Sequence, residues 1–116
     1  MTKIYYNRSK DEHELSIYGH AGYDNEGRDI ICSAVSAIAY ALLGFLENEA
    51  NDTSDYDYMT ESGKLCVTAD TSERVDAAFD MALIGLAQIA RQYPDYVRFH
   101  TKLHLAADSR EETANI

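Results

Sequence analysis

Apolar and polar residues alternate in short segments of this chain, which is typical of β-strands. Residues 3–7 and 14–18 are rich in aromatic and β-branched side chains, so they predict a hairpin with a polar connection. Residues 56–60 and 64–69 predict a second hairpin that turns at a Glu-Ser-Gly sequence. Residues 96–103 alternate in the same way and predict a last strand.

Two longer segments have helical rather than alternating patterns. Residues 29–49 are apolar over most of their length, and the carboxylate of Asp29 can accept the N–H groups of the first turn as an N-cap. The second segment comprises residues 72–93. At its start, Asp70 and Glu73 have the spacing of a capping box. This segment has one apolar stripe at spacings of three and four, formed by Val75, Phe79, Ala82, Leu86, Ile89 and Tyr93.

The predicted order of elements is β-β-α-β-β-α-β. This order defines an α+β fold, a mainly antiparallel sheet with two helices packed on it. Residues 1–116 fit a single domain, and the polar residues 104–116 are expected to fray. The first helix has more apolar surface than one sheet face covers. We therefore expect it either to lie between the sheet and the second helix or to pack against a second subunit, and we favour a dimer.

Charge and the N-terminus narrow the classes of function. The chain has 20 Asp+Glu against 10 Lys+Arg, a net charge of −10, which opposes direct nucleic-acid binding and favours a basic partner. The first residues contain no apolar signal segment, so a cytoplasmic protein is expected. Residues 30–46 reach the shortest length of a membrane span. However, acids flank them and no Lys/Arg cluster follows, so we expect a buried helix and no membrane.

The main candidate for chemistry is Cys32, which falls in the first turn of the first predicted helix. The unpaired N–H groups and the helix dipole stabilise a thiolate there, and the thiolate is the nucleophilic form of cysteine. His20 precedes it across a glycine-rich loop and could act as the base and later protonate a leaving amine. Asp29 could orient that histidine or only cap the helix. From spacing alone, a core cysteine and a plain loop histidine also remain open.

Other polar residues add little chemistry. Ser36 lies one turn after Cys32, where it either packs or hydrogen-bonds within a site. Cys66 is interpreted as a structural cysteine of its strand. The histidines are scattered, so neither a metal site nor another cofactor is predicted. The glycine-rich loop lacks the phosphate-binding patterns GxGxxG and GK[ST].

One stretch of the chain resembles a known family. It closely resembles the ribosomal-processing cysteine protease (Prp) family in Gly-His-Ala-Gly at residues 19–22, Gly27, and Asp-Ile-Ile-Cys-Ser-Ala-Val-Ser at residues 29–36. The likeness extends along nearly the whole chain. The resemblance implies a homodimeric protease that removes an N-terminal extension from large-subunit ribosomal protein twenty-seven and cuts after an aromatic residue. It also implies that His20 and Cys32 are the catalytic dyad.

The same resemblance assigns further residues to the site. Gly19, Gly22, Asp29 and Ser36 match family positions around it, and residues 22–28 match a segment that closes over the substrate. Two hypotheses follow from the sequence. The chain is either a cysteine endopeptidase or a non-catalytic, dimeric, ribosome-associated module that only binds a peptide. In the second case Cys32 is a packing residue.

Overall fold

The predicted order of elements is confirmed. The computed structural model describes residues 1–19, 30–50, 56–61 and 63–101. The elements are β1 (Thr2–Arg8), β2 (Glu12–Tyr18), α1 (Ile30–Phe45), a π-helical turn (Leu46–Ala50), β3 (Tyr56–Glu61), β4 (Lys64–Asp70), α2 (Glu73–Gln92) and β5 (Val97–Thr101).

The five strands form one sheet in the order β3-β4-β2-β1-β5. The two predicted hairpins and the contact between β2 and β4 are antiparallel, whereas β1 and β5 pair in parallel. The prediction of an α+β fold with a mainly antiparallel sheet is therefore confirmed. The parallel pair arises because α2 crosses over the sheet between β4 and the edge strand β5.

Alternation along the strands directs one face of the sheet toward both helices. In β2, Leu15 and Ile17 are buried as the pattern predicts, and in β4 so are Leu65, Val67 and Ala69. The largest buried apolar side chains of this single core are Tyr6, Phe79, Ile4, Leu15, Ile31, Leu46, Leu83 and Leu86.

The start of α2 differs from its prediction. Ser72 is the N-cap, and its hydroxyl accepts a hydrogen bond from the Val75 N–H at 3.2 Å. The capping box predicted for Asp70 and Glu73 is wrong, because Asp70 still belongs to β4 and the chain leaves the sheet before the helix begins. The apolar stripe itself is confirmed from Val75 to Leu86, with Leu83 as an additional buried residue.

Helix α1 lies beside α2 and is not enclosed between α2 and the sheet. Its buried side consists of Ile31, Val35, Ala39, Leu42 and Leu43. Its other side is apolar too but open, with Ile30 61% and Tyr40 59% exposed. By length and composition alone, Ile30–Glu49 could cross a membrane, and 33% of its most apolar 18 residues are buried inside the fold.

One polar network lies inside the core. His13 is fully buried, its Nδ1 accepts a hydrogen bond from the Tyr6 hydroxyl at 2.7 Å, and its Nε2 donates to Asp76 at 2.7 Å. Arg8 reaches the other oxygen of Asp76 at 2.8 Å. Burial lowers the pKa of His13 against the opposing effect of Asp76, and burial raises the pKa of Tyr6 to about 12. The network therefore joins β1, β2 and α2 with a neutral imidazole at its centre.

Cys66 belongs to β4 but not to its inward-facing residues, and its interpretation as a structural cysteine stays a prediction. It lies on the face of the sheet away from the helices, half-buried, with its sulfur 4.0 Å from the Tyr18 hydroxyl. The reason is the alternation in β4, where Leu65 and Val67 point to the helices and Cys66 therefore points away.

Candidate active site

Cys32 is the third residue of α1 and is half-buried. The first N–H groups of a helix have no acceptor within the helix, and they point toward its N-terminal end. They therefore favour negative charge on a sulfur or an oxygen held in the first turn. Neither Cys32 nor Cys66 forms a disulfide.

A cleft of about 370 Å³ opens beside Cys32. One wall is α1, where Cys32, Ser36 and Tyr40 follow each other at intervals of four residues. The floor is apolar, because inward-facing residues of β2, β4 and α1 meet below the cleft: Ile17, Leu65, Val35 and Ala39. The cleft is within the size range of about 300–1,000 Å³ that holds small ligands or single side chains.

The second wall is the hairpin of β3 and β4. Thr60, Glu61, Gly63 and Lys64 line it, so a carboxylate and an ammonium group stand across from the cysteine wall. Glu61 and Lys64 are also partners in the strand register. A bound chain would therefore meet an apolar floor and a polar, oppositely charged rim.

Gly19 closes one end of the cleft and requires glycine for two reasons. Its φ is +84°, and a Cβ at this position would lie 2.6 Å from the carbonyl oxygen of Met1. Its N–H donates to the carbonyl of Gly63 at 2.7 Å, which ties the end of β2 to the hairpin turn. The last described residue before α1 therefore lies at the cleft.

The structure brings together three of the residues predicted for the site: Gly19, Cys32 and Ser36. His20, Gly22 and Asp29 lie outside the described residues, so their predicted roles stay predictions. Among the residues that the structure describes, no group of three His, Cys, Asp or Glu side chains could hold a metal.

Sequence reasoning missed the residues that complete the cleft. Tyr40 continues the spacing of Cys32 and Ser36 by one more turn, so helical periodicity could have indicated it. The hairpin residues Thr60, Glu61 and Lys64 gave no comparable signal. They reach the cleft only because β4 pairs with β2, which is a contact across more than 45 residues of sequence.

Comparison with known proteins identifies the class that this fold and site define. The sequence model of the family described as cysteine protease Prp matches residues 1–98. The chain therefore belongs to the cysteine protease Prp family, a family of cysteine peptidases.

Curated relatives agree with this assignment. The chain is similar to the ribosomal processing cysteine protease Prp of Mycoplasma pneumoniae, with 28% identity over 87 residues that cover 75% of this chain and 85% of the relative. The protein of the same name from Mycoplasma genitalium is 25% identical over 79 residues, which cover 68% and 78% of the two chains.

Solved structures share the fold. The ribosomal processing protease Prp of S. aureus, in complex with a covalently linked product peptide, superimposes with a TM-score of 0.79 at 17% identity and covers 88% of this chain and 100% of that one. A protein from Streptococcus mutans has a TM-score of 0.63 at 29% identity, with coverage of 88% and 96%.

Proposed function

We propose that this chain is a cysteine endopeptidase that removes the N-terminal extension of large-subunit ribosomal protein twenty-seven, cutting after an aromatic residue. The observation that carries the proposal is Cys32 at the start of α1 beside an apolar-floored cleft, in a chain that belongs to a cysteine peptidase family. The names of the two mycoplasma relatives support ribosomal processing. The fold likeness to a protease bound to a product peptide supports a peptide substrate.

The first chemical step is acylation of Cys32. Its thiolate attacks the carbonyl carbon of the scissile bond, and a tetrahedral intermediate forms whose oxygen carries the negative charge. The N–H groups at the start of α1 would stabilise that oxyanion. The C–N bond then breaks, His20 as imidazolium gives its proton to the leaving amine, and a thioester on Cys32 remains.

The second step is hydrolysis of the thioester. His20, now neutral, takes a proton from water, and the resulting hydroxide attacks the same carbonyl carbon. The C–S bond breaks and releases the thiolate of Cys32, and the carboxylic acid formed loses its proton to solvent and leaves as a carboxylate. The Cys32–His20 pair is then again a thiolate and an imidazolium. The support for His20 is that it directly follows Gly19, which lines the cleft beside Cys32. Asp29, directly before α1, would orient His20 and cap the helix.

The cleft is suited to a side chain next to the scissile bond. Its floor is apolar and its volume of about 370 Å³ accommodates an aromatic ring. Ser36, one turn from Cys32, would hydrogen-bond the peptide backbone, and Gly19 and Gly22 would let the peptide approach closely. The net charge of −10 favours a basic ribosomal protein as substrate, and such a substrate would place the enzyme in the cytoplasm.

The enzyme would act as a homodimer. An apolar groove of about 670 Å³ runs between α1 and α2 on the side away from the sheet. The groove is lined largely by alanine, leucine, isoleucine and phenylalanine side chains. Met81, which also lines it, is 75% exposed. A second copy of the chain would cover this surface, because exposed apolar area of this kind is characteristic of subunit interfaces.

The test is cleavage of a synthetic peptide that spans the junction of the extension in the ribosomal protein of the same organism. Mass spectrometry should find two products, with the new carboxyl group on an aromatic residue. His20→Ala should keep its melting temperature and lose at least about a hundredfold in rate, because a general base and acid contributes about 10²–10⁴-fold. An uncleaved peptide, or parental cleavage by the variant, would contradict the proposed mechanism.

A further inference from the structure

The face of the sheet away from the helices, called the outer face here, has an unusual composition for so acidic a protein. One row of register partners across it is Lys64, Tyr18, Lys3 and Arg98. The neighbouring row is Cys66, Ser16, Tyr5 and His100. Basic and aromatic side chains therefore cover four adjacent strands. Apart from Lys64, which also lines the cleft, they belong to neither the cleft nor the helix groove.

The aromatic side chains of the outer face form one cluster. The rings of Tyr5 and His100 are stacked, with centroids 5.0 Å apart and planes 14° apart. Tyr18 meets Tyr5 edge-on at 5.8 Å, and the ammonium group of Lys64 lies 5.5 Å above the Tyr18 ring. Although they contact each other, Tyr5 and Tyr18 remain 41% and 37% exposed. The exposed parts of the two rings are those that His100, Lys64 and the other tyrosine leave uncovered.

A shallow recess of about 440 Å³ lies within this cluster. Its lining is Lys3, Tyr5, Ser16 and Tyr18, two side chains from each of two paired strands. Two aromatic rings flank the recess, a small hydroxyl residue lies between them, and an ammonium group stands at its rim. Such a recess fits a planar base that carries a phosphate on one side.

The charges of the outer face are arranged unevenly. Lys3 and Arg98 are exposed, and no ion pair joins either of them to a carboxylate of the described residues. Glu61 faces Lys64 at the margin, and Glu14 lies two residues from Ser16. The remaining carboxylates on this face, those of Glu12, Asp57 and Asp70, are farther toward the opposite end of the strands. The basic row is therefore the end of the face that attracts anions.

We propose that the outer face binds short single-stranded RNA, with bases stacked on Tyr5 and Tyr18 and phosphates at Lys3 and Arg98. Open sheets with exposed aromatic rings bind unpaired bases, and basic side chains beside them hold the backbone. The net charge of −10 opposes nucleic acid over most of the surface. Charges beyond about 8 Å are largely screened at physiological salt, so the local basic row decides the interaction on this face.

The choice of RNA rests on the proposed function, since the substrate of a ribosomal processing enzyme assembles with RNA. The outer face and the helix groove are on opposite sides of the molecule, so a dimer through the helices leaves the outer face open. Binding there would hold the enzyme near RNA-bound substrate without occupying the cleft.

The test is fluorescence anisotropy with a labelled oligouridylate of about ten nucleotides and the full-length protein. Binding should weaken with salt, with a slope of log K against log salt near about −1.4 for the two phosphate contacts. Lys3→Gln should reduce the size of this slope by about 0.7. Tyr5→Val and Tyr18→Val should each lower affinity at least about fivefold, because base stacking contributes about 1–3 kcal/mol. Tyr5→Phe keeps the ring and should bind as the parent does.

Tyr58 provides the matched control. It is 40% exposed, but it lies on the other face of the sheet and donates to Glu47 at 3.2 Å. Tyr58→Val should leave RNA affinity within about twofold. Equal losses for Tyr58→Val and Tyr5→Val, no measurable binding, or tighter binding of the matching DNA or of an acidic peptide would overturn the proposal. Cys32→Ala should bind RNA like the parent, which separates failure of this proposal from failure of the proposed protease activity.

Discussion

Removing the carboxylate of Asp76 should destabilise the fold more than its surface position suggests. The side chain is 30% exposed, yet one oxygen accepts from the fully buried His13 and the other pairs with Arg8. In Asp76→Ala the Nε2–H of His13 has no partner in the core, which costs about 1–3 kcal/mol. Loss of the partly exposed ion pair adds up to about 1 kcal/mol.

The expected loss of unfolding free energy is therefore about 1–4 kcal/mol. For a domain of this size it corresponds to a decrease of about 4–16 °C in melting temperature, which urea titration and thermal melts followed by circular dichroism can measure. Asp76→Asn keeps an oxygen that accepts from His13, so it should lose only about 1 kcal/mol.

Asp80→Ala is the matched control on the same helix. Its carboxylate also faces Arg8, but at 3.7 Å and with 50% exposure, and it has no hydrogen bond to His13. This variant should lose less than about 1 kcal/mol. If Asp76→Ala costs no more than Asp80→Ala, the buried hydrogen bond to His13 does not contribute as described.

The remaining predictions concern pH, the cleft and the dimer. The pKa of His13 in the folded chain lies below 6.5, the ordinary pKa of histidine, so the unfolded chain binds more protons and stability should fall as pH drops below 6.5. Urea unfolding at a series of pH values should show this, and His13→Gln should flatten the dependence. Gly19→Ala should lose at least about 1–2 kcal/mol in the same unfolding assay, because φ is positive and the Cβ meets a carbonyl oxygen. Met81→Glu should give a monomeric mass by light scattering at roughly 10 μM, whereas Met59→Glu, on the outer face, should not. Asp29→Asn should stay folded and cleave more slowly if Asp29 serves His20, and parental cleavage would leave it only a cap.

The local parts of the fold could be predicted from the sequence. Strand alternation and the apolar stripe of α2 depend on neighbouring residues, and the order β-β-α-β-β-α-β follows from them. The alternation of Leu65 and Val67 with Cys66 likewise indicates that Cys66 points away from the core. The N-cap shifted to Ser72 because strand ends and helix caps compete for the same few residues.

The long-range parts could not be predicted in the same way. The strand order β3-β4-β2-β1-β5 and the parallel pairing of β5 depend on contacts between distant segments. The cleft shares this property, since Cys32 and Ser36 follow from helical spacing but the facing hairpin does not. Resemblance to a family supplied Gly19 as a site residue, and only the structure gave the reason, a positive φ beside Met1.

The most direct test of the central claim compares cleavage of the junction peptide by the parent, Cys32→Ala and Cys66→Ala. Both cysteines are half-buried, so each substitution removes one sulfur atom from a similarly buried position. Of the two, only Cys32 lines the cleft. We predict that Cys66→Ala cleaves like the parent and that Cys32→Ala, still folded by its melting curve, is slower by at least about 10⁴-fold. Cleavage by Cys32→Ala at a rate close to that of the parent would contradict the assignment of Cys32 as the nucleophile.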